Sequence, residues 1–311
     1  MGNSTVPVLP FDISLPELPE AFCKFFSDKI DDICCELDSC PIDNDFIPFD
    51  GIPLTYFRPV SEETVRDLVL KSPTKSCALD PVPTGLLKAC IDSLVPLIAR
   101  IVNESLESGT VCDVLKQAIV TPLLKKANLD SNMLKNYRPV SNLQLISKII
   151  EKAVLTQLQD HLTGNGLLET YQSAYRKGHS TETALLAVTD NLLSNIDNRL
   201  ASIVAFLDLS AAFDTLDHQI LLKRLSITYG IHAKAFQWFS SYLSDRRQSV
   251  TIGSIFSKPV PLQSGVPQGS VLGPILFTLY TQPLSNTIQK HQFDYHKYAD
   301  DTELELSLIH I

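Results

Sequence analysis

The pattern of apolar and polar residues is most regular between Asn142 and about Leu162, where it predicts the longest helix of the chain. Apolar residues recur there every three or four positions and form one stripe, which is the spacing of a helix with one buried face. The stripe consists of Leu145, Ile146, Ile149, Ile150, Ala153, Val154, Leu158 and Leu162. Gly164 and Gly166 follow it and are expected to end the helix.

Other segments also predict helices. Ser61 precedes Glu62 and Glu63, a pattern typical of a helix start, because serine caps free N–H groups and acids favour a helix N-terminus. Folded structure is therefore expected to begin at Ser61. Further helices are predicted for Asp92–Ser108, about Thr181–Asn198, about Ala211–Leu225, Ala233–Leu243 and the segment after Gln268-Gly269-Ser270.

The predicted strands are short. Ala201–Leu207 is almost entirely apolar, which predicts a strand buried on both faces in the middle of a sheet. Ala118–Leu124 also predicts a strand, but Pro122 limits it to a sheet edge because proline has no N–H to donate. Two hairpins are predicted, Gln248–Ile252 with Ile255–Val260, and Phe293–Ala299 with Thr302–Leu308. The fold class is therefore α+β, a small antiparallel sheet backed by helices and preceded by a mostly helical region.

The net charge of −9 comes from one end of the chain. Residues 1–50 hold eleven acidic and two basic side chains, whereas the other 261 residues hold 24 of each. Residues 1–60 show little periodic pattern apart from a short helical stretch near Glu20–Leu37, so we expect an acidic, Pro/Asp-rich and poorly ordered linker there. Nine Lys or Arg accompany four Asp or Glu from Lys116 to Lys177, and this weakly basic segment suits phosphate binding and plain solvation equally well.

Composition argues against several classes of protein. No apolar run approaches the roughly 18–20 residues of a membrane span, and the N-terminus lacks the basic start and apolar stretch of a secretory signal. Seven cysteines occur without a histidine among them, so we interpret them, including Cys34, Cys35 and Cys40, as reduced thiols of an intracellular protein. The sequence also contains no phosphate-binding loop, dinucleotide-binding motif or nucleophile elbow.

Three carboxylates lie where a carboxylate is unusual. Asp208 ends the apolar strand, and Asp300 and Asp301 occupy the tip of the last hairpin. If these strands are neighbours, three acids converge at one end of the sheet and repel each other unless cations lie among them. Two Mg²⁺ ions about 3.5–4 Å apart, bridged by carboxylates, would relieve the repulsion and promote phosphoryl transfer. Taken alone, each aspartate could equally be a helix cap or a turn residue.

Five motifs occur in order along the chain and change this balance. They are NYRPVSNL (Asn136–Leu143), YQSAYRKGHSTETAL (Tyr171–Leu185), FLDLSAAFD (Phe206–Asp214), SGVPQGSVLGPILF (Ser264–Phe277) and YADD (Tyr298–Asp301). Together they resemble the fingers motifs, the two aspartate motifs and the intervening Gln-Gly…Pro motif of reverse transcriptases, in particular those of LINE-type (non-LTR) retrotransposons. An RNA-dependent RNA polymerase would use similar carboxylates, but it must accept a 2′-hydroxyl and normally carries GDD instead of YADD.

The resemblance implies a metal centre. Asp208, Asp300 and Asp301 would be the catalytic residues and would coordinate two Mg²⁺ ions, for which Mn²⁺ can substitute. The ions would lower the pKa of the primer 3′-hydroxyl and balance the charge of the incoming triphosphate.

The resemblance also implies residues that bind substrate. Phe213 matches the aromatic side chain that stacks under the sugar and leaves no room for a 2′-hydroxyl. Gln268 matches the glutamine beside the sugar, and Gly269 would allow close approach of the backbone. Arg138 and Arg176 lie in the fingers motifs and would bind triphosphate or template phosphates.

The architecture that the resemblance implies is the fingers and palm of a right-hand polymerase. We expect an N-terminal extension and fingers over residues 61–200 and an incomplete palm over residues 201–311, with the thumb absent. The partners would be an RNA template, a DNA primer and dNTPs, with no membrane, in the nucleus and cytoplasm. The alternative function is a catalytically inactive remnant that acts at most as a nucleic-acid-binding or interaction module.

Overall fold

A computed structural model describes residues 9–37, 46–176 and 178–308 and divides the chain into two units. The first unit comprises Met1–His161 and Phe213–Gly273, and the second comprises Leu162–Ala212 and Pro274–Ile311. Each unit is built from two separate stretches of chain. The boundaries that we predicted between residues 60 and 61 and between residues 200 and 201 do not follow these units, and that division stays a prediction.

Helices and strands are intermixed along the described part of the chain. The helices are α1 (Leu18–Leu37), α2 (Glu62–Leu70), α3 (Thr84–Ala89), α4 (Ile91–Ser108), α5 (Leu145–Gly164), α6 (Thr181–Asp197), α7 (His218–Ile227), α8 (Ala233–Leu243) and α9 (Gly273–Lys290). The strands are β1 (Gln117–Leu124), β2 (Tyr137–Asn142), β3 (Ala201–Leu207), β4 (Arg247–Ile252), β5 (Ile255–Phe256), β6 (Val260–Pro261), β7 (Asp294–Tyr298) and β8 (Asp301–Leu308).

The first unit contains a five-stranded sheet in the order β2-β1-β4-β5, with β6 also paired to β4. β1 runs antiparallel to β2 and parallel to β4, whereas β5 and β6 run antiparallel to β4. Together with the three antiparallel strands of the second unit, this confirms the predicted α+β class. The prediction that Pro122 confines its strand to an edge is wrong, because Gln117–Val120 pairs with β4 while Pro122 lies beyond that pairing and faces only β2.

Helix α1 contradicts the prediction that folded structure begins at Ser61. Its residues Leu18, Phe22 and Phe26 lie four positions apart on one face and are buried. They pack against Tyr137 of β2 and Val250 of β4 in one hydrophobic cluster. The helical stretch predicted near Glu20–Leu37 is confirmed, but the acidic composition of this region concealed that its apolar stripe belongs to the core. The flanking residues 1–8 and 38–45 lie outside the described residues.

Most predicted helices are confirmed, and two begin later than expected. Ser61 caps α2, since its side chain accepts a hydrogen bond from Thr64 N. The predicted start of α5 at Asn142 is wrong, because the residues up to Asn142 form strand β2 and the helix begins at Leu145. The sequence did not predict β2, which is short and contains Pro139. The predicted start at Ala211 is also wrong, because α7 begins at His218, after the capping residue Asp217.

The second unit contains a three-stranded antiparallel sheet in the order β3-β8-β7, with α6 and α9 as its helices. The predicted hairpin around Asp300-Asp301 is confirmed, since β7 and β8 pair from Asp294 with Glu305 to Tyr298 with Asp301. No helix of the described residues is both long enough and apolar enough to cross a membrane. None of the six cysteines in the described part of the chain forms a disulfide, and Cys40 lies outside it.

Strand β3 forms as predicted, but its predicted position in the middle of a sheet is wrong. Among the described strands it pairs with β8 only and therefore lies at the sheet edge. Ile203 is 54% exposed and Phe206 is 79% exposed, so the apolar run is not buried on both faces. An apolar strand with one unpaired edge offers free N–H and C=O groups to another chain. This edge is therefore a predicted site of self-association.

Ile203→Lys should reduce self-association of the chain. The side chain is already largely exposed, so a charge there costs little stability while it disfavours pairing of two edges. Sedimentation velocity should show a larger monomer fraction than in the parental chain. Leu97→Lys, at an exposed position of α4, is the matched control and should leave the distribution unchanged. Equal effects of both variants would show that net charge, and not the strand edge, controls association.

Candidate active site

The register of the three-stranded sheet brings the three candidate carboxylates to one end. Leu207, the last residue of β3, pairs with Thr302 of β8, and Tyr298 of β7 pairs with Asp301. Asp208 follows Leu207 directly, and Asp300 lies in the turn between β7 and β8. The side chains of Asp208 and Asp301 are exposed, and that of Asp300 is half-buried. Strand pairing thus places acids 92 residues apart in the sequence side by side.

Electrostatics at this end of the sheet are unfavourable without a cation. Burial raises the pKa of Asp300, and the negative charges of Asp301 and Asp208 raise it further. Among the described residues, no three His, Cys, Asp or Glu side chains are close enough to hold one metal ion as they stand. Mg²⁺ usually binds one or two carboxylates and completes its shell with water and substrate phosphates. The donor set therefore fits divalent cations that arrive with a phosphate substrate.

A second constellation lies in the first unit, where the segments 213–218 and 264–268 are joined backbone to backbone. Val266 N donates to Phe213 O at 2.8 Å, and Gly265 N donates to Leu216 O at 2.7 Å. Gly265 has a φ of +78°, and a Cβ on it would lie 2.7 Å from Cα of Asp214. Only glycine fits this approach. The two segments that carry Phe213 and Gln268 are thus fixed against each other.

The side chains of Asp214 and Gln268 are paired within this constellation. Gln268 Nε2 donates to Asp214 Oδ2 at 2.9 Å. Ser264 Oγ also donates to the backbone carbonyl of Asp214 at 3.0 Å. Burial raises the pKa of Asp214 to about 6, while the hydrogen bond from Gln268 and the charge of Lys29 act in the opposite direction. Because an ionised carboxylate only accepts hydrogen bonds, Asp214 orients the Gln268 amide with its nitrogen toward the carboxylate. Sequence reasoning had not singled out Asp214.

Gly269 lies against strand β2. Its φ is +122°, and a Cβ on it would collide with the backbone oxygen of Ser141. Ser141 N donates to the carbonyl of Gln268 at 2.8 Å, so the loop runs beside β2 at hydrogen-bonding distance. Gly269 therefore allows the loop backbone to approach Ser141 closely, and its predicted role in binding substrate stays a prediction.

The family described as Reverse transcriptase (RNA-dependent DNA polymerase) matches residues 124–305, which is more than half of the chain. The chain belongs to the reverse transcriptase family. The matched range includes every residue that we proposed for the active site, from Arg138 to Asp301.

Similar reverse transcriptases come from mobile elements of Drosophila melanogaster. The chain is 31% identical over 247 residues to the probable RNA-directed DNA polymerase from transposon BS, covering 78% of this chain and 27% of that protein. It is 30% identical over 233 residues to the probable RNA-directed DNA polymerase from transposon X-element, covering 75% and 25%. It is 27% identical over 249 residues to the RNA-directed DNA polymerase from mobile element jockey, covering 78% and 27%. The predicted membership among LINE-type (non-LTR) reverse transcriptases is confirmed. The chain spans about a quarter of the length of these relatives.

The two arginines of this reverse transcriptase chain differ in their surroundings. Arg138 is exposed on β2. Arg176 is partly buried, and its Nη1 donates to the backbone carbonyls of Glu169 at 3.0 Å and Thr170 at 3.1 Å. Arg176 therefore orders its own loop. The predicted contacts of both residues with phosphate stay predictions.

Glu151 of α5 is a further residue that the sequence did not reveal. It is 1% exposed, and its Oε2 accepts hydrogen bonds from Val271 N at 2.7 Å and Leu272 N at 3.1 Å. Burial raises its pKa, while the charge of buried Arg246 and the two hydrogen bonds act in the opposite direction. The carboxylate satisfies N–H groups at the start of α9 that have no partner within the helix. It thereby fixes the end of the loop that carries Gln268.

Glu151→Ala should lower the free energy of unfolding by about 3–5 kcal/mol, because two N–H groups and the buried charge of Arg246 lose their partner. Glu151→Gln keeps an acceptor oxygen and should lose about 1–3 kcal/mol. Urea unfolding followed by the fluorescence of Trp238, the single tryptophan, measures both values. Trp238 is fully buried and stacks on Tyr242 with the ring centroids 5.3 Å apart. Glu104→Ala, an exposed glutamate on α4, should change stability by less than about 0.5 kcal/mol. A loss no larger than that in Glu151→Ala would contradict the role of Glu151.

Asp214 should make stability depend on pH in the acidic range. An unfolded aspartate has a pKa of about 3.9, whereas burial raises the folded value to about 6. Between these values the folded chain binds more protons than the unfolded chain, so its stability falls as pH rises. The contribution is complete below about pH 4 and is lost as pH rises through about 6.

Urea unfolding of the parental chain and of Asp214→Asn, compared across this pH range, tests the expectation. Asn keeps an oxygen that accepts from Gln268 but does not titrate. The parental chain should lose stability relative to Asp214→Asn as the pH rises. Asp190→Asn, at an exposed position of α6, should run parallel to the parental chain. Parallel curves for all three proteins would show that Asp214 titrates alike in the folded and unfolded states.

Proposed function

We propose that this chain carries the catalytic residues of the RNA-directed DNA polymerase of a non-LTR retrotransposon. The reaction adds dNTPs to the 3′ end of a DNA primer on an RNA template. The observation that supports it most strongly is the convergence of Asp208, Asp300 and Asp301 at one end of a sheet. Burial, and then the charges of the other two acids, raise the pKa of Asp300 there, in a chain that belongs to the reverse transcriptase family.

The second unit would hold the metal ions. Asp208, Asp300 and Asp301 are acceptor-only side chains when ionised, and hard oxygen ligands are those that Mg²⁺ and Mn²⁺ prefer. Bound by these residues, two such ions would supply activation of the primer 3′-hydroxyl and stabilisation of negative charge on the transferring phosphoryl group. Asp300, whose pKa is raised by burial and further by its two acidic neighbours, would gain most from a bound cation.

Two further residues, Phe213 and Gln268, would contact the sugar of the incoming nucleotide. Phe213 and Gln268 are fixed by the hydrogen bonds between their two segments. A phenylalanine ring beneath the sugar would exclude a 2′-hydroxyl by contact, which favours dNTP over rNTP. The amide of Gln268, oriented by Asp214, would lie beside the sugar. Gly269 would keep the backbone free of a side chain at this point.

The wider context of the reaction follows from the family. Exposed Arg138 and loop-ordering Arg176 would bind triphosphate or template phosphates, because a guanidinium group matches a phosphate with two parallel donors. The full reaction would be target-primed reverse transcription, in which a nicked DNA 3′ end is extended along the element's RNA. The protein and the element's RNA would form a ribonucleoprotein that acts in the nucleus and cytoplasm.

Primer extension on an RNA template and DNA primer tests the proposal. The 311-residue chain should incorporate dNTPs with Mg²⁺, and removal of the metal with a chelator should stop incorporation. Asp300→Ala should lower the rate by about a hundredfold or more, because it removes a ligand that acts on the transition-state charge. Asp294→Ala, at the start of strand β7 and therefore at the opposite end of the sheet from the turn of Asp300, is the matched control and should retain the parental rate.

The alternatives predict different outcomes in the same assay. An RNA polymerase would incorporate rNTPs as readily as dNTPs, whereas we expect strong preference for dNTPs and loss of that preference in Phe213→Ala. A folded chain without incorporation in any condition would refute a polymerase role for this chain. In that case the alternative of an inactive nucleic-acid-binding or interaction module would take its place.

A further inference from the structure

The residue before Asp300 adopts an unusual backbone conformation. Ala299 has a φ of 58°, in the left-handed region where the Cβ of an L-residue crowds the neighbouring carbonyl. Alanine has a conformational cost there that glycine avoids. The orientation of Asp300 depends on this peptide, so something must stabilise the turn in its observed form.

Gln172 supplies that stabilisation through both atoms of its amide. Its Oε1 accepts a hydrogen bond from Ala299 N at 3.1 Å, and its Nε2 donates to Ala299 O at 3.2 Å. Oε1 also accepts from Ala174 N at 3.0 Å, which fixes the side chain to its own loop. Gln172 is 2% exposed, so these bonds form away from competing water. One buried amide thus holds both polar groups of the residue beside Asp300.

The loop that carries Gln172 is itself attached to strand β7. Lys297 N donates to Tyr171 O at 2.8 Å, and Ser173 N donates to Lys297 O at 3.0 Å. The buried ammonium group of Lys297 in turn donates to Ser285 Oγ of α9 at 2.6 Å. Loop, strand and helix are therefore tied together immediately before the turn. Gln172 can act on Ala299 because its own backbone is held in place.

We propose that Gln172 is a positioning residue, which holds the left-handed peptide of Ala299 and so orients the carboxylate of Asp300 for metal binding. The inference rests on the proposed function for the metal role of Asp300. It adds a residue that lies 127 positions before Ala299 in the sequence and that would act through Ala299 and not as a metal ligand. Its effect on metal binding passes through the backbone conformation of one alanine.

Binding of Mn²⁺ to the 311-residue chain, followed by the electron paramagnetic resonance of free Mn²⁺, measures this effect without polymerase activity. Gln172→Met preserves the volume of the side chain but removes its hydrogen bonds. We expect the dissociation constant to rise about tenfold, the effect of losing one or two net hydrogen bonds. Asp300→Ala should weaken binding at least as much, because it removes the ligand itself.

Gln157 provides a matched control. It is also a buried glutamine whose amide holds one backbone residue, since its Oε1 accepts from Arg58 N at 2.7 Å and its Nε2 donates to Arg58 O at 2.9 Å. It belongs to the first unit, whereas the carboxylates belong to the second. Gln157→Met should lower the urea midpoint of unfolding yet leave Mn²⁺ affinity unchanged. An equal loss of affinity in both variants would attribute the effect to general destabilisation and overturn the inference.

A rescue experiment tests the conformational step directly. Ala299→Gly removes the cost of the left-handed conformation. In the double variant Gln172→Met/Ala299→Gly, Mn²⁺ affinity should return to within about twofold of that of Ala299→Gly alone, because glycine adopts this conformation without support from Gln172. Additive effects of the two substitutions would instead show that the two residues are not coupled. Failure of the glycine to restore affinity would overturn the role of the Ala299 peptide.

The two proposals fail in different ways. If Asp300→Ala binds Mn²⁺ as tightly as the parental chain, the proposed metal role of Asp300 is wrong. Urea unfolding then still tests whether Gln172 stabilises the conformation of Ala299. Gln172→Met should lower the free energy of unfolding less in the Ala299→Gly background than in the parental chain. If Asp300→Ala loses affinity but Gln172→Met does not, the metal role stands and the positioning role is wrong.

Discussion

The antiparallel register of β3, β8 and β7 is the constraint on which the candidate site depends. Side chains alternate along a strand, so a slip of one residue would move every side chain of that strand to the other face. The observed register pairs Leu207 with Thr302 and Tyr298 with Asp301, which sets the ends of all three strands level. Only then do carboxylates from distant parts of the chain meet.

Buried polar side chains then fix the irregular segments that strand pairing leaves free. Loops cannot satisfy their backbone groups within a sheet or a helix, so side chains from elsewhere must do so. Glu151 does this for the start of α9, Asp214 for the amide of Gln268, and Gln172 for the peptide of Ala299. Each acts on a motif residue or on the backbone beside one. The residues that fix these segments are therefore different from the proposed metal ligands.

The same arrangement also contains two features that disfavour the folded state. Three acids share one end of a sheet, where burial and, after it, the charges of the other two acids raise the pKa of Asp300. Apolar side chains of β3, such as Ile203 and Phe206, remain exposed at its edge. Sites that bind charged ligands commonly retain strain or repulsion that the ligand relieves. In this chain a divalent cation would relieve the repulsion among the three acids.

The amino-acid sequence by itself determined the elements with strong local signals and the identity of the motifs. The serine caps of α2 and α6, the hairpin of β7 and β8 and the five ordered motifs depend on residues close together in the chain. Local sequence could not place α1 in the core or β3 at an edge, because burial depends on partners far along the chain. The contacts of Glu151 and Gln172 likewise span 120 and 127 residues. Gln172 lies within one of the five motifs, yet the partners of both side chains are backbone atoms, which every residue possesses, so no sequence pattern indicates these contacts. Only the tertiary structure decided which residues orient the site.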